Sequence, residues 1–331
     1  MIVGDIGGTK TYLAHIQSKA NASPILEHIK RYSNNEHDCF DAILSDYLME
    51  SGVEQPDKAV FAVAGPVQHN RCQMTNLPWQ IDPTSLAGEF SISQMHLLND
   101  LAATAHSLPF LPEADFAWLQ GGDLDVHATQ SVISVGTGLG EASLSYSQPH
   151  EQYMVLPGEG GHKNFAPGND EELALLTYYL RQQDHVSAEF LISGNGIQRI
   201  YEFLAKQPEW QHPIPDMDDA DSSNNRNQLI TQLAFELPGS IYEQTVTMFA
   251  QMLMSEAGNL ALQHYSNGGV VIAGGIAPNL APFLQQPESL QAFQRKGRFA
   301  TWLQSIPVRI CLNTHAPLIG AWAFGQQLKT I

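Results

Sequence analysis

Two short apolar runs in this chain each end in a glycine-threonine turn. Ile2–Val3 leads into Gly4-Asp5-Ile6-Gly7-Gly8-Thr9-Lys10-Thr11, and Ser131–Val135 leads into Gly136-Thr137-Gly138-Leu139-Gly140. A glycine-rich turn offers backbone N–H groups to an anion. One such turn is weak evidence. A pair points to two related lobes that hold the phosphate chain of one nucleotide. Asp5, beside the first turn, has two readings. It can hold the water shell of a Mg²⁺ ion on the β- and γ-phosphates, or it can brace the hairpin by local hydrogen bonding.

Three further groups could do chemistry. Asn99-Asp100 ends the apolar run His96-Leu97-Leu98. Ligands gather outside the carboxyl ends of strands in open α/β sheets. An Asp there can accept a hydroxyl proton and aim the oxygen at a γ-phosphate, or it can N-cap a helix starting at Leu101. The run Leu156-Pro157-Gly158-Glu159-Gly160-Gly161-His162 brings the backbone close to something and aims one carboxylate. Glu159 and His162 suit a polyhydroxylated ligand. They also resemble a metal pair, but no third and fourth ligand follows at suitable spacing; a tight turn with a solvated Glu is the plain alternative. Ser187 can cap a helix with Glu189 in its first turn. Gly274-Gly275, after Val270–Ala273, would let a flat ring approach, or allow close strand–helix packing.

These residues need elements to carry them. Residues 2–15 read as a β-hairpin, because the second strand follows the turn at once. Residues 38–52 read as an amphipathic helix with Phe40, Ile43, Leu44, Tyr47 and Leu48 on its apolar positions. Strands are expected at Ala59–Ala64, His96–Leu98, Glu141–Tyr146, Val270–Ala273 and Val308–Leu312. Helices are expected at Leu101–Ser107, Asp170–Gln182, 238–265 and Leu318–Leu328. Pro109, Pro112 and Gly121-Gly122 place a lobe boundary near 110. The acidic, proline-bearing stretch 207–228 reads as an exposed loop.

Composition narrows the partners. The 331 residues are long for one core, so two lobes are expected. A net charge of −18 repels nucleic-acid backbones and anionic lipids. An anionic nucleotide must then be held locally by backbone dipoles, a metal ion and one or two cations. The three cysteines, Cys39, Cys72 and Cys311, form no CxxC pair and no disulfide framework. A reducing cytoplasm fits them, with no signal peptide and no transmembrane helix expected.

Taken in order, these segments resemble the bacterial glucokinases of the hexokinase–actin ATPase superfamily. The stretches that carry the resemblance include GDIGGTK (4–10), LLNDLAATA (97–105), VGTGLG (135–140), LPGEGGHKNFAP (156–167), HVSAE (185–189) and GGVVIAGGIAP (268–278). The resemblance implies an α/β, two-lobed actin/hexokinase-like fold, each lobe a mixed sheet with flanking helices and a ligand cleft between. Residues 1–110 with 317–331 would form the small lobe and 111–316 the large one. It implies ATP-dependent phosphorylation of D-glucose at the 6-hydroxyl, the entry to glycolysis. By analogy Asp100 is the general base, and Asn99, Glu159, His162 and Glu189 hold the other hydroxyls. Gly7, Gly8, Thr9, Gly136, Thr137 and Gly138 cradle phosphates, Gly274 and Gly275 lie by the adenosine, and Asp5 serves Mg²⁺ through water. The family also suggests a homodimer.

The chain departs from the family at Lys10, where many relatives carry Asn; a Lys there can reach a phosphate or point outward from the hairpin, and the outward side chain is the favoured reading. Related ROK kinases carry a Cys-rich zinc motif. No cysteine lies between Cys72 and Cys311, so no protein-bound zinc is expected. Two other readings stay open: a kinase of the same architecture for mannose, fructose or an N-acetylhexosamine, and a non-catalytic sugar sensor. A repressor-type sensor would need a DNA-reading module such as a helix-turn-helix.

Overall fold

β1 (Ile2–Ile6) turns back through Gly7-Gly8-Thr9 into β2 (Lys10–Ile16) as an antiparallel hairpin, with Ile6 opposite Thr11. The computed structural model describes residues 1–16, 24–53, 56–74, 77–210 and 223–328. The chain divides into two units, Met1–Asp115 with Leu144–Pro157 and Asn313–Ile331, and Phe116–Ser143 with Gly158–Leu312. In this division Leu111–Asp115 and Leu144–Pro157 go with the first unit, whereas the expected small lobe is 1–110 with 317–331.

In the first unit, β3 (Leu26–Ser33) pairs with β2, and β4 (Lys58–Val63) runs parallel to β1. A small antiparallel sheet follows, made of β5 (Val67–Gln68), β6 (Arg71–Gln73) and β7 (Gln80–Ile81). β8 (Gln94–Asn99) then joins β4 in parallel, giving the order β3-β2-β1-β4-β8. β1 and β4 are apolar at nearly every position because both of their faces are covered. On one face lies the helix Phe40–Ser51, whose Phe40, Ile43, Leu44 and Tyr47 meet Ile2, Ile6, Phe61 and Val63. On the other lies Ala316–Gln327, whose Leu318, Ala321 and Trp322 meet Val3, Val60 and Ala62. Fully burying one such large side chain contributes about 1.5–3 kcal/mol. The register sets Ile6, Val63 and Asn99 in one rank, so three parallel strands end together.

The second unit is built on β9 (Phe116–Gln120), β10 (Gln130–Val135) and the start of β11 (Leu139–Ser147), which β12 (Gln152–Gly158) follows. β13 (Val270–Ala273) and β14 (Val308–Cys311) complete the order β12-β11-β10-β13-β14-β9. β10, β13 and β14 are parallel, and β9 closes the edge antiparallel to β14. The helix Ile241–His264 is apolar almost all round, as a core helix must be, with Val246, Phe249, Leu253 and Leu260 fully buried.

Two elements differ from expectation. The aromatic-rich Phe116–Gln120 forms a strand where the Pro and Gly punctuation on either side led to a boundary region. The helix Ser223–Glu236 begins inside the stretch 207–228 read as a loop and runs past its end, and residues 211–222 of that stretch lie outside the described residues. Its polar first half hides the periodicity, but Ile230 and Ala234 are buried against the core. Among the described residues, no helix is long and apolar enough to cross a membrane.

Candidate active site

In the first unit the aligned strand ends gather Asp5, Asn99 and Asp100. Asp5 is the penultimate residue of β1. Its carboxyl is pushed up to about 7, first by burial and then by the charge of Asp100, with Lys10 opposing. A buried carboxyl whose proton affinity is raised in part by a second carboxylate fits a cation beside it, since positive charge would favour its ionised form.

The first glycine turn is braced from below. Gly7 N–H donates to Lys10 C=O at 3.0 Å, which closes the hairpin. Asn34 Nδ2 donates to Gly7 C=O at 2.9 Å, and Asn34 N–H donates to Thr9 C=O at 3.0 Å. Thr11 Oγ1 in turn donates to Asn34 Oδ1 at 2.8 Å. Thr9 and Lys10 are exposed, and Lys10 Nζ lies 5.5 Å over the Tyr12 ring. Asn34 is 1% exposed and shapes the turn, yet nothing in its sequence neighbourhood marks it out.

Asn99 ends β8 and caps the helix Asp100–Ser107. Its Oδ1 accepts from Leu101 N–H at 3.0 Å and from Ala102 N–H at 3.2 Å. The sequence offers Asp100 as the cap, and the structure corrects this by one residue to Asn99. Asp100 is instead the first helical residue, and its Oδ1 accepts from Leu101 N–H at 2.9 Å. A carboxylate here is favoured by the helix dipole. Asn99 Oδ1 thus serves the cap, while its Nδ2 donates to Gly65 C=O at 3.5 Å.

In the second unit Glu159, His162 and Glu189 come together. Gly160–His162 forms a 3₁₀ turn after Glu159. His162 Nε2 lies 3.9 Å from Glu159 Oε2, and His162 Nδ1 lies 3.9 Å from Glu189 Oε1. Glu159 and His162 are exposed, and Glu189 is half-buried in the helix Ala188–Leu191. Ser187 caps that helix by accepting from Phe190 N–H at 3.1 Å, as its sequence predicts. Such a cluster of donors and acceptors suits several hydroxyls of one ligand.

The second glycine turn is tied to the same cluster. Glu189 Oε2 accepts from Leu139 N–H at 2.9 Å, and a Cβ on Gly138 would collide with that oxygen. Gly194 N–H donates to Gly136 C=O at 2.8 Å, where the helix Gly194–Leu204 begins under its Ser193 cap. Gly136 N–H donates to Gly138 C=O at 3.0 Å, and Thr137 is the exposed residue between them. Gly274 has φ +92° and lies against the backbone of Val135, a position only glycine fills without strain. A Cβ on Gly275 would meet open space.

One buried group escaped the sequence reading. Lys163 Nζ bonds Glu141 Oε1 and Oε2 at 3.0 and 2.9 Å and also pairs with Glu256. Burial raises the Glu141 pKa against the pull of Lys163. Burial works to lower that of Lys163, but its bonds to Glu256 and Glu141 prevail and raise it. A Glu in the apolar strand Leu139-Gly140-Glu141-Ala142 was the available signal, since a buried carboxylate needs a partner. Among the described residues no group of three or more His, Cys, Asp or Glu could hold a metal ion.

Each unit carries a glycine turn, the first with carboxylates at its aligned strand ends and the second with the Glu159, His162 and Glu189 cluster, and comparison with known proteins assigns the chain to the sugar-kinase class. The glucokinase family model matches residues 2–328. A glucokinase of Trichormus variabilis is 36% identical over 334 residues, covering 97% of each chain. Among solved structures, a glucokinase from an Antarctic psychrotroph superposes with a TM-score of 0.85 at 28% identity, covering 99% of this chain and 98% of that one. A ROK family glucokinase from Streptomyces griseus, solved with glucose and AMPPNP, shares the fold with a TM-score of 0.66 at 15% identity, covering 99% of each chain. This chain belongs to the glucokinase family.

Proposed function

We propose that this chain transfers the γ-phosphoryl group of ATP to the 6-hydroxyl of D-glucose, giving glucose 6-phosphate and ADP. The observation that carries the reading is the family match over residues 2–328, which takes in every site residue named above. Asp100 accepts the proton of the 6-hydroxyl as its oxygen attacks phosphorus. Asn99, Glu159, His162 and Glu189 hold the remaining hydroxyls. The turns at Gly7, Gly8, Thr9 and Gly136, Thr137, Gly138 receive the phosphates, and Gly274 and Gly275 leave room beside the adenosine. When bound, Mg²⁺ neutralises charge on the β- and γ-phosphates. Asp5 is the residue that would hold it, through water. The reading extends to a cytoplasmic homodimer at the entry to glycolysis, with no nucleic-acid or membrane partner.

The test is ADP release with ATP and Mg²⁺ across a panel of hexoses and N-acetylhexosamines. Strong preference for glucose is expected. Preference for another sugar would overturn the substrate and leave the Asp100 chemistry standing. Absence of sugar-dependent release from folded protein that binds glucose would favour a sensor.

A further inference from the structure

The Glu141–Lys163–Glu256 group takes no part in the reaction described above, and its members come from distant parts of the sequence. Glu141 stands on β11, Lys163 directly follows His162, and Glu256 lies in the helix Ile241–His264. The two glutamates are 3% and 4% exposed. One ammonium between two buried carboxylates is costly to desolvate, and replacing such a group with apolar residues is often neutral or stabilising. Stability is therefore a weak reason for its presence.

The surrounding backbone supplies a stronger one. Lys163 N–H donates to Gly160 C=O at 3.1 Å, closing the turn that carries His162. Lys163 C=O accepts from Ala188 N–H at 2.9 Å, and Phe165 N–H donates to Val186 C=O at 2.9 Å. The segment after the turn is thus stitched to the segment that carries Glu189. Glu189 holds Leu139 N–H, and Glu141 follows on the same strand. The Lys163 ammonium returns to Glu141 and closes the circuit. Gly160 sits so near the Glu141 carboxylate, and Gly161 so near the Leu139 carbonyl, that a Cβ on either would collide.

The geometry points to Lys163 as a positioning residue for sugar recognition. Anchored by Glu141 and Glu256, it fixes the Glu159–His162 turn against β11 and the Glu189 helix. It touches no substrate and acts through those residues. The inference rests on the glucose reading above.

Lys163→Met keeps a long unbranched side chain and removes the charge. It should raise the glucose KM about tenfold or more while the ATP KM stays within about twofold and kcat changes less than the glucose KM. Lys163→Arg, which keeps a cation, should return the glucose KM to within about threefold of wild type. Equal rises in both KM values, or no change in folded protein, would overturn the positioning role. If Lys163→Met does not fold, Glu256→Gln decides, since it keeps the Lys163–Glu141 pair; it should raise the glucose KM about threefold and leave the ATP KM alone. Changes shared by both substrates, or none, would count against the idea. Wild type is assayed first. If it neither binds nor phosphorylates glucose, the glucose reading fails, and hydrogen exchange then judges the positioning separately. The Leu139 and Ala188 amides should exchange faster in the variant that folds while β1 amides do not; unchanged exchange at both sites overturns it.

Discussion

Glu189 Oε2 accepts the Leu139 N–H at 2.9 Å, while Glu189 Oε1 lies 3.9 Å from His162 Nδ1. One carboxylate therefore touches both the second glycine turn and the Glu159–His162 cluster. Its two oxygens face different tasks, and removing it should disturb both.

Glu189→Ala should therefore raise the KM for glucose and the KM for ATP together. Glu159→Gln should raise only the glucose KM, because Glu159 is exposed and meets only His162 among the ion pairs described. A loss of about 1.5–3 kcal/mol per charged hydrogen bond corresponds to roughly ten- to hundredfold. Steady-state kinetics with each substrate varied in turn separate the two patterns. If Glu189→Ala spared ATP, the link through Leu139 would be irrelevant to nucleotide binding.

Asp100→Ala should leave glucose affinity nearly intact and lower kcat by about 10²–10⁴. The cap belongs to Asn99, so the helix Asp100–Ser107 should survive the change. Circular dichroism checks the fold, calorimetry the sugar affinity, and single-turnover kinetics the chemistry. Near-normal turnover would remove Asp100 from the role of base.

Asn34→Ala removes two side-chain hydrogen bonds, keeps the backbone bond to Thr9, and leaves the Thr11 hydroxyl and the Gly7 carbonyl without this partner. Unsatisfied buried groups cost about 1–3 kcal/mol each, so a loss of a few kcal/mol is expected. The first glycine turn should also loosen, raising the ATP KM more than the glucose KM. Urea unfolding reads the first effect and kinetics the second. A variant as stable as wild type would mean that water replaces Asn34.

What the sequence made legible was the part governed by local rules. The hairpin of β1 and β2 follows from a glycine turn between apolar runs, and the helix Ile241–His264 from its apolar periodicity. The Glu159, His162 and Glu189 cluster needed the family resemblance, because a Glu within three glycines does not say what it faces. The cap was misplaced by one residue because Asn99 and Asp100 are both good capping residues, and helix ends are uncertain by a residue or two. Asn34 and the Lys163 pairings stayed hidden for another reason. Their partners are fixed by tertiary packing, and no spacing along the chain encodes that Asn34 lies under Gly7 or that Glu256 meets Lys163.

His106 offers a pH signature away from the site. It is 7% exposed in the helix Asp100–Ser107, with its ring 5.5 Å from that of Phe324. Burial lowers its pKa from 6.5 to about 4. Between those values the unfolded chain binds a proton that the folded chain refuses, so stability falls as pH drops through this window. The full contribution is present above pH 6.5, and the loss approaches on the order of 3 kcal/mol near pH 4. His106→Leu keeps the site apolar and removes the titration. Urea midpoints at pH 7.5 and pH 4.5 should therefore differ less in the variant than in wild type. The remaining acid sensitivity then belongs to other groups, and an unchanged difference would show that His106 takes up its proton as readily in the fold as in the unfolded chain.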